Sequence, residues 1–305
     1  MNVSITGGGG YLGNVLVRHL LNKGYKVKVM DNMLKGQCDA LLSVVSNPNF
    51  EFIKGDIRSQ SDCKSLLKKA DVVVHLAGVV GFPACAKNPY ESYSINVKGT
   101  RVLMDSTDKS QFVVNASTGS CYGVVEGVCT EDSPLNPQSE YGLQKKIGEA
   151  IVAEYENTVS YRFATAFGSS PCTRINLLIN DFVYRALSDR CLNVFQADFR
   201  RTFIHITDIA RAFEHALVKR LPGEVYNCGS SELNWTKRQV AEYVKQKTGC
   251  YIFYDDFAED ADKRDYETSY SKLESTGFKC DTTMEEGVNE LIKASALINI
   301  NHQYN

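Results

Sequence analysis

The sequence lacks the features that identify nucleic-acid-binding, membrane-spanning and secreted proteins. Its formal net charge is −2, and its basic residues form no run longer than pairs such as Lys68–Lys69, so no nucleic-acid partner is expected. No apolar run is long enough to cross a bilayer, and residues 1–6 are typical of a strand and leave no room for a leader peptide. We therefore expect a cytoplasmic protein without a membrane partner.

Spaced cysteine motifs are also absent. The chain has 10 cysteines, but none of them form a Cys-x-x-Cys pair and their spacing is irregular. Such a pattern favours reduced thiols over disulfides, and it predicts no structural zinc or other metal site. Cys85 and Cys121 lie close to the motifs described below, but neither is assigned a chemical role, because cysteine is often a small core hydrophobe.

What the sequence does contain is a regular alternation of strands and helices. Short β-rich segments are expected at residues 2–6, 25–30, 50–53, 71–75, 111–115 and 159–163. Helical spacing of apolar residues lies between several of them, and the longest helices are expected from Pro89 to Asp108 and from Tyr141 to Glu156. Strands that alternate with helices predict an α/β fold with a doubly wound parallel sheet covered on both faces.

The alternation stops after Phe167. Residues 168–171 (Gly-Ser-Ser-Pro) interrupt it, residues 192–201 are expected to be irregular, and a helix returns over 204–219. We therefore predict a smaller, discontinuous α/β domain beside the sheet. The predicted division assigns 1–166 and 203–228 to the larger domain, and 167–202 and 229–305 to the smaller one.

Three glycines occupy the first predicted turn. Gly7, Gly10 and Gly13 follow a strand and precede a helix, a spacing that lets backbone approach a pyrophosphate at the helix N-terminus. Asp31 ends the next strand, where a carboxylate binds adenosine ribose hydroxyls and repels a 2′-phosphate. The sequence therefore predicts a Rossmann site for NAD rather than NADP, with Asp56 near the adenine.

A tyrosine and a lysine lie four residues apart on a predicted helix. Tyr141 and Lys145 therefore share one face, and a neighbouring ammonium group together with a cationic nicotinamide would lower the pKa of the phenol. Tyr141 could then exchange a hydroxyl proton while a hydride moves to or from the nicotinamide. Thr118 would bond to the same substrate oxygen.

In combination, these motifs resemble the extended short-chain dehydrogenase/reductases, and among them the nucleotide-sugar epimerase/dehydratase family. The matching segments are Thr6-Gly-Gly-Gly-Gly-Tyr-Leu-Gly13, Asp31-Asn32, Gly55-Asp-Ile57, His75-Leu-Ala-Gly78, Asn96-Val-Lys-Gly-Thr100, Ser117-Thr118, Tyr122-Gly123, Tyr141/Lys145, Arg162 and Arg201-Thr-Phe-Ile-His-Ile-Thr-Asp208. The resemblance implies NAD as cofactor, a nucleotide-diphosphate sugar as substrate, and a homodimer. The helices from about Pro89 and Tyr141 would form its four-helix bundle.

The resemblance also implies which residues bind the two ligands. Those expected at the cofactor are Gly7, Gly10, Tyr11, Leu12, Asp31, Asn32, Asp56, Ile57, Leu76, Ala77, Gly78, Asn96, Ser117, Tyr141, Lys145 and Phe163. Those expected at the substrate are Val80, Phe82, Thr118, Arg174, Asn180, Arg201 and Arg264. Among these, Arg201 and Arg264 would hold the diphosphate, because guanidinium forks suit phosphate oxygens.

The residues in the turn after Thr118 reduce the number of reactions that are expected of this chain. Similar enzymes that remove water between C4 and C6 carry Asp-Glu there, and those that decarboxylate a sugar acid carry a glutamate, whereas this chain has Gly119-Ser120. Neither a 4,6-dehydratase nor a decarboxylase is therefore expected. Val80 replaces a lysine, and Ala164 an asparagine, that are common in hexose 4-epimerases.

Three hypotheses remain open at this point. Residues 174–182 and 262–266 resemble bacterial surface-polysaccharide enzymes that oxidise the C4 hydroxyl of GDP-heptoses, so we favour an NAD-dependent C4 oxidoreductase in polysaccharide biosynthesis. A 4-epimerase, which returns the hydride to the opposite face, is the close alternative. A non-catalytic nucleotide sensor on the same fold is the third, although a sensor has no need of Tyr141, Lys145 and Thr118 together.

Overall fold

The computed structural model describes residues 1–34, 36, 38–125, 127–255, 257–258 and 265–297. Its strands are β1 (Asn2–Thr6), β2 (Lys26–Asp31), β3 (Phe50–Lys54), β4 (Val72–His75), β5 (Phe112–Thr118), β6 (Val128–Cys129), β7 (Thr158–Phe163), β8 (Thr165–Phe167), β9 (Cys191–Phe195), β10 (Arg200–His205), β11 (Glu224–Cys228), β12 (Asn234–Thr236), β13 (Tyr251–Asp255) and β14 (Glu267–Thr268). Its α-helices are α1 (Tyr11–Asn22), α2 (Gln60–Leu67), α3 (Phe82–Lys87), α4 (Pro89–Tyr93), α5 (Thr100–Ser106), α6 (Glu140–Ala153), α7 (Leu178–Ser188), α8 (Ile206–Lys219), α9 (Lys237–Thr248), α10 (Ser271–Glu274) and α11 (Met284–Ser295). Short 3₁₀ turns occupy Asp39–Val44, Gly119–Cys121 and Ser231–Leu233.

Within these ranges, seven strands form one parallel sheet in the order β11-β7-β5-β4-β1-β2-β3. The chain runs outward from β1 through β2 to β3 and then returns to β4 on the other side of β1. A crevice therefore opens at the carboxyl ends of β1 and β4, which is where open α/β sheets bind ligands. The prediction of a doubly wound α/β fold is confirmed.

Both faces of this sheet are covered, and the strand sequences reflect it. All four residues of β4, Val72–His75, are buried, as expected for a strand between two helical layers. Leu20 of α1 and Phe213 of α8 pack against one face, and Leu66 of α2 and Leu103 of α5 against the other. Each such side chain contributes about 1.5–3 kcal/mol by leaving water.

A second core lies beyond the sheet. It joins apolar side chains of α7, α9 and α11 to those of β9, β10 and β13. The prediction that residues 192–201 are irregular is wrong for 192–195 and 200–201, which belong to β9 and β10, while 196–199 form the turn between these strands. Their partners are remote in sequence: Cys191 pairs with Tyr251 in a parallel ladder, and Arg200 pairs with Thr236 in an antiparallel one.

The two long helices differ from each other. The segment expected from Pro89 to Asp108 is α4, a π-helical stretch at Ser94–Gly99 and then α5, and such π segments often occur at functional sites. The second long helix is continuous as α6. It begins at Ser139, whose hydroxyl accepts a 3.1 Å hydrogen bond from the Gly142 amide, a standard N-cap.

The lengths of the helices and the state of the cysteines bear on the whole of the described chain. No helix in the described ranges is both long enough and apolar enough to cross a membrane. All ten cysteines fall within these ranges, and each is a free thiol.

Candidate active site

A cavity of about 350 Å³ opens at the crevice between β1 and β4. The predicted ligand-binding residues that line it are Gly7, Gly10, Tyr11, Leu12, Asp31, Asn32, Ile57, Leu76, Ala77, Gly78, Val80, Phe82, Ser117, Thr118, Tyr141, Lys145, Phe163 and Arg174. Four other predicted residues, Asp56, Asn96, Asn180 and Arg201, are described but do not line it. The fifth, Arg264, lies outside the described residues.

The glycine turn has the shape that a dinucleotide requires. Gly7 has a φ of +70°, and a Cβ on it would lie 2.7 Å from the Ala77 backbone. A Cβ on Gly13 would lie 2.5 Å from the Gly8 backbone, so this glycine lets α1 pack against the turn. Gly10 precedes α1 without a side-chain cap, which leaves helix N-terminal amides for a pyrophosphate. The turn therefore fits NAD.

Asp31 is held beside this turn by backbone amides. Its Oδ2 accepts from the Gly9 amide at 3.0 Å, and its Oδ1 accepts from the Met33 amide at 2.8 Å. The carboxylate therefore stands at the end of β2, on the wall of the cavity. A fixed negative charge at this point suits ribose hydroxyls and disfavours a 2′-phosphate.

Asp56 lies behind the cavity wall and contacts the cavity through Asn32. Arg58 binds its carboxylate through Nη2 at 2.7 Å and Nε at 3.0 Å, and Asn32 donates to it at 3.0 Å. The hydrogen bonds from Arg58 lower the pKa of Asp56 to about 2. The ionised carboxylate thus orients Asn32, which does line the cavity.

Asn96, in the π-helical stretch, is also buried behind the wall. Its Oδ1 accepts from the Val79 amide at 2.8 Å, and its Nδ2 donates to the Val79 carbonyl at 2.9 Å. A Cβ on Gly78 would lie 2.9 Å from the same Oδ1. Asn96 therefore fixes the backbone of the wall instead of facing the cavity.

A buried hydrogen-bond chain connects that asparagine to the end of β1. The Thr6 hydroxyl accepts from the Leu76 amide at 3.2 Å and the Ala77 amide at 3.1 Å, which leaves its proton to be donated to His75 Nδ1 at 2.8 Å. His75 Nε2 then donates to the Thr100 hydroxyl at 3.0 Å, which donates to the Asn96 carbonyl at 2.7 Å. Burial lowers the pKa of His75 to about 3, so this chain holds a neutral imidazole of one tautomer.

The catalytic triplet predicted from the sequence meets at one end of the cavity. Tyr141 and Lys145 occupy successive turns of α6, and Thr118 ends β5; all three side chains line the cavity. Burial raises the pKa of Tyr141 to about 12, against the opposing effects of the Arg174 charge and a hydrogen bond with Thr118. Burial lowers the pKa of Lys145. A phenolate at neutral pH therefore requires additional positive charge nearby.

A buried polar network lies beneath the triplet, and it was not predicted. Glu149 accepts from the Ser117 hydroxyl at 2.6 Å and forms a 2.6 Å ion pair with Arg162. Arg162 donates to the Tyr122 hydroxyl at 2.9 Å, which donates to Asn227 Oδ1 at 2.6 Å. The sequence contained the signal, since Glu149 follows Lys145 by one helical turn on the same face.

The end of the cavity that contains Tyr141, which is the predicted sugar end, is lined by apolar side chains and one arginine. Val80 and Phe82 line the cavity here, together with Arg174 from the loop between β8 and α7. Asn180 stands behind that loop. Its Oδ1 accepts from the Gly168 amide at 3.1 Å and its Nδ2 donates to the Arg174 carbonyl at 2.9 Å, so its role is to hold the loop.

The turn after Thr118 is closed by a tyrosine that sequence reasoning missed. A Cβ on Gly119 would lie 2.9 Å from the Tyr266 hydroxyl. Tyr266 is buried and packs edge-on against Tyr122, with ring centroids 6.1 Å apart. A side chain at position 119 therefore meets a packed aromatic ring.

Of the two arginines predicted for the diphosphate, one lies within the described residues and the other does not. Arg201 is buried in β10, where its Nη1 donates to the Arg200 carbonyl at 3.0 Å, and the prediction for Arg264 falls on a residue that is not described. No metal site emerges from the described side chains, because no group of three or more His, Cys, Asp or Glu among them could hold an ion.

Sequence comparison connects this geometry to known proteins. The model of the NAD dependent epimerase/dehydratase family matches residues 3–229. The chain is 30% identical over 302 residues to the low-salt glycan biosynthesis protein Agl12 of Haloferax volcanii, a match that covers 94% of this chain and 96% of that protein. It is 27% identical over 304 residues to a putative UDP-glucose 4-epimerase of Methanocaldococcus jannaschii, covering 95% and 97%.

Solved structures show the same architecture over nearly the whole chain. A UDP-glucuronic acid 4-epimerase of Bacillus cereus, in complex with UDP-glucuronic acid and NAD, superposes with a TM-score of 0.86 at 24% identity, covering 97% of this chain and 99% of that one. A dTDP-glucose 4,6-dehydratase of Bacillus anthracis, in complex with NAD, gives 0.84 at 26% identity, covering 96% of both. Similar proteins are thus named for more than one reaction.

Proposed function

Because the chain belongs to the NAD-dependent epimerase/dehydratase family, we propose that it oxidises the C4 hydroxyl of a nucleotide-activated sugar with NAD as hydride acceptor. The observation that carries the proposal is the convergence of Tyr141, Lys145 and Thr118 on the cavity that begins at Asp31. We favour a GDP-heptose as the sugar and surface polysaccharide synthesis as the setting. The glycan biosynthesis role in the name of Agl12 supports that setting.

The chain's own residues divide the work at the reacting carbon. Bound NAD supplies the hydride acceptor. Tyr141, as phenolate, takes the proton of the C4 hydroxyl while the C4 hydrogen leaves as hydride, so the carbon becomes a ketone. Thr118 orients the same oxygen, and the ammonium group of Lys145 favours the phenolate. In the reverse direction, the same tyrosine returns the proton.

A 4-epimerase is the second candidate. It uses the same first step, after which the ketosugar turns and takes the hydride back on its other face. The relatives named as 4-epimerases support it. A sequence feature that counts against the common hexose enzymes is the apolar wall, where Val80 replaces their usual lysine.

We further infer that this chain does not eliminate water or carbon dioxide from the sugar, although relatives named as dehydratases exist. Elimination needs an added acid and base near the reacting carbons. Among the described residues that line the cavity, Asp31 is the one carboxylic acid, and it stands at the adenosine end. At the sugar end, the contact between Gly119 and Tyr266 restricts space for a side chain.

Proton NMR of UDP-, GDP-, CDP- and dTDP-sugars, heptoses included, incubated with the protein and NAD tests these proposals together. A 4-ketosugar matched by NADH absorbance is the expected result. A 4-epimer without net NADH would establish the epimerase instead. A 4-keto-6-deoxy product, marked by a new methyl signal, would contradict the exclusion of elimination. Binding of nucleotide sugars without any conversion would favour a sensor.

We also propose a homodimer through α4, α5 and α6. Two of these helices, α4 and α6, carry exposed apolar side chains, with Tyr90 at 89%, Tyr93 at 41% and Leu143 at 43% exposure. Sedimentation analysis of Leu143→Asp is expected to show monomers, because a carboxylate would be buried in the interface. Val218→Asp, at a 64% exposed position on α8, should remain dimeric. Monomeric wild-type protein would overturn the proposal.

The division of the chain into 1–166 with 203–228, and 167–202 with 229–305, remains a proposal. The separate core around α7, α9 and α11 supports it. However, Tyr270, Leu273 and Phe278 pack into the larger core. We therefore expect a single calorimetric unfolding transition, and two separate transitions would show that the parts are independent.

A further inference from the structure

The loop between β8 and α7 delivers a second cation to the catalytic tyrosine. Arg174 lines the same cavity as Tyr141. One of its terminal nitrogens lies 3.3 Å from the point that a Cβ of Gly81 would occupy, so the guanidinium reaches the opposite wall. Its Nε donates to Asn176 Oδ1 at 3.3 Å. The side chain therefore crosses the sugar end of the cavity from a part of the chain outside the sheet.

The charge of this arginine has no acidic partner in the part of the chain that the structure describes. Other arginines do: Arg162 pairs with Glu149 at 2.6 Å, and Arg101 pairs with Glu154 at 2.6 Å. Apart from its hydrogen bond to Asn176, the titratable groups that interact electrostatically with Arg174 are the phenols of Tyr141 and Tyr11. Burial lowers the pKa of Arg174, yet a guanidinium stays protonated in proteins. A buried cation without a carboxylate favours anions that form near it.

The loop itself is anchored to the glycine turn. The Tyr11 hydroxyl donates to the Gly168 carbonyl at 2.7 Å, and the Ser170 hydroxyl donates to the Tyr11 carbonyl at 2.9 Å. On the far side, Glu290 accepts from the Ser169 amide at 2.7 Å. These bonds fix the backbone that bears Arg174 relative to the cofactor turn.

The surroundings of Tyr141 contain few other charges. Lys145 lies one turn along the same helix, while Thr118 ends β5, Cys121 follows that strand and Cys85 lies on α3. Burial raises the pKa of both thiols, for Cys121 to about 12, so both are neutral at physiological pH. The neighbouring acid on α6, Glu140, is exposed to solvent.

We propose that Arg174 acts through Tyr141: its guanidinium, together with Lys145, stabilises the phenolate that accepts the sugar proton. The proposal rests on the proposed function for its catalytic meaning, but the electrostatic effect on the phenol exists without a sugar. The alternative is that Arg174 only binds a substrate anion such as the diphosphate. The two roles predict different effects on the ionisation of Tyr141.

The test compares Arg174→Met with Arg174→Lys in the protein loaded with NAD. Phenolate absorbance is titrated against pH, with the Tyr141→Phe protein as the blank that isolates one tyrosine. Arg174→Met is expected to raise the pKa of Tyr141 by roughly one pH unit or more, since an opposite charge nearby shifts such groups by that amount. Arg174→Lys should keep most of the effect, because it keeps the charge.

Substrate kinetics then link the titration to turnover. If a sugar is converted, the acid limb of the plot of kcat against pH should shift to higher pH in Arg174→Met, by the same amount as the pKa of Tyr141. A raised KM with an unmoved titration and pH profile would overturn the proposal and leave a binding role. A moved titration without conversion of any sugar would sustain the role of Arg174 and contradict the proposed function.

A matched control is available on the neighbouring helix. Arg185 of α7 is a surface arginine paired with Asp181 at 2.8 Å. Arg185→Met should leave the titration and the kinetics of Tyr141 unchanged. Circular dichroism and thermal unfolding of each variant establish that the fold is retained, and the intermediate Arg174→Lys variant keeps the test informative if Arg174→Met fails to fold.

Discussion

The two ends of the cavity differ in how completely their polar groups are bonded to the protein. At the cofactor end, around the glycine turn and Asp31, the Asp31 carboxylate accepts hydrogen bonds from two backbone amides. Behind it, each ring nitrogen of His75 is hydrogen-bonded to a threonine hydroxyl. At the sugar end, burial raises the pKa of Tyr141 to about 12 and lowers the pKa of Lys145, and Arg174 has no acidic partner among the described residues. The cofactor end is thus preorganised, whereas the sugar end gains its electrostatic balance from its ligands.

This difference assigns separate consequences to changes at each end. A change at the cofactor end should alter affinity for NADH or stability, because the bonds it breaks exist in the folded protein. A change at the sugar end should alter turnover and leave both of those quantities intact.

Replacement of the phenol of Tyr141, the proposed acid–base group, should lower turnover without affecting folding. Tyr141→Phe removes one hydroxyl, and loss of a positioned acid–base group typically costs about 10²–10⁴-fold in rate. We expect kcat to fall within that range, while NADH affinity and thermal stability stay near wild type. Robust conversion of the sugar by Tyr141→Phe would show that the proton is moved by another group.

Removal of one partner from the buried network beneath Tyr141, Lys145 and Thr118 should have the largest effect on stability. Glu149→Gln leaves Arg162 buried without its carboxylate, and such losses cost about 3–5 kcal/mol. Urea unfolding measures the change. Glu154→Gln is the matched control, because the Arg101–Glu154 pair has the same 2.6 Å separation but lies at the surface, and it should change little. Equal losses in the two variants would contradict a special role for burial.

The ribose acid should govern cofactor affinity. Asp31→Ala is expected to weaken NADH binding by roughly 10–100-fold, the equivalent of about 1.5–3 kcal/mol for a hydrogen bond to a charged group. At saturating NAD, kcat should be retained, because Asp31 stands far from the reacting carbon. Asp39→Ala, which alters an exposed acid nearby, serves as control. Unchanged NADH affinity in Asp31→Ala would remove the argument for its role.

The buried imidazole should make the fold sensitive to acid. Its pKa falls from 6.5 to about 3 on folding, so between these values the unfolded chain binds a proton that the folded chain does not. Stability therefore decreases as pH falls through that window and is unaffected above it. At pH 5 the loss is about 2 kcal/mol. His75→Gln, unfolded with urea at pH 7 and pH 5, should lose less stability between the two than wild type.

The sequence predicts the cofactor half of the molecule well because its signals are local. Gly7, Gly10 and Gly13 lie in a single turn, and the spacing of Tyr141 and Lys145 is set by one helix. The strands of the sheet are short apolar runs such as Val72–His75, whose burial on both faces is visible in composition alone. Such features need no knowledge of distant contacts.

The features that the sequence did not predict depend on contacts between segments that are distant along the chain. Residues 191–195 form a strand that pairs with Tyr251 and its neighbours, and the segment itself carries only a short alternation of buried Leu192 and Val194 with exposed residues. Asn96 and Asn180 were predicted to face the ligands, but the structure uses both to bond backbone behind the wall. The sequence predicted these polar residues for the site, while the direction in which their side chains point follows from the fold.

The contact between Gly119 and Tyr266 bears on how new chemistry could evolve here. An acidic residue at position 119 would collide with the Tyr266 hydroxyl, since even a Cβ there would lie 2.9 Å from it. A single substitution that supplies the carboxylate would first disturb the packing of two buried tyrosines. An evolutionary route from this chain to a dehydratase therefore passes through a change at 266 before, or together with, the change at 119.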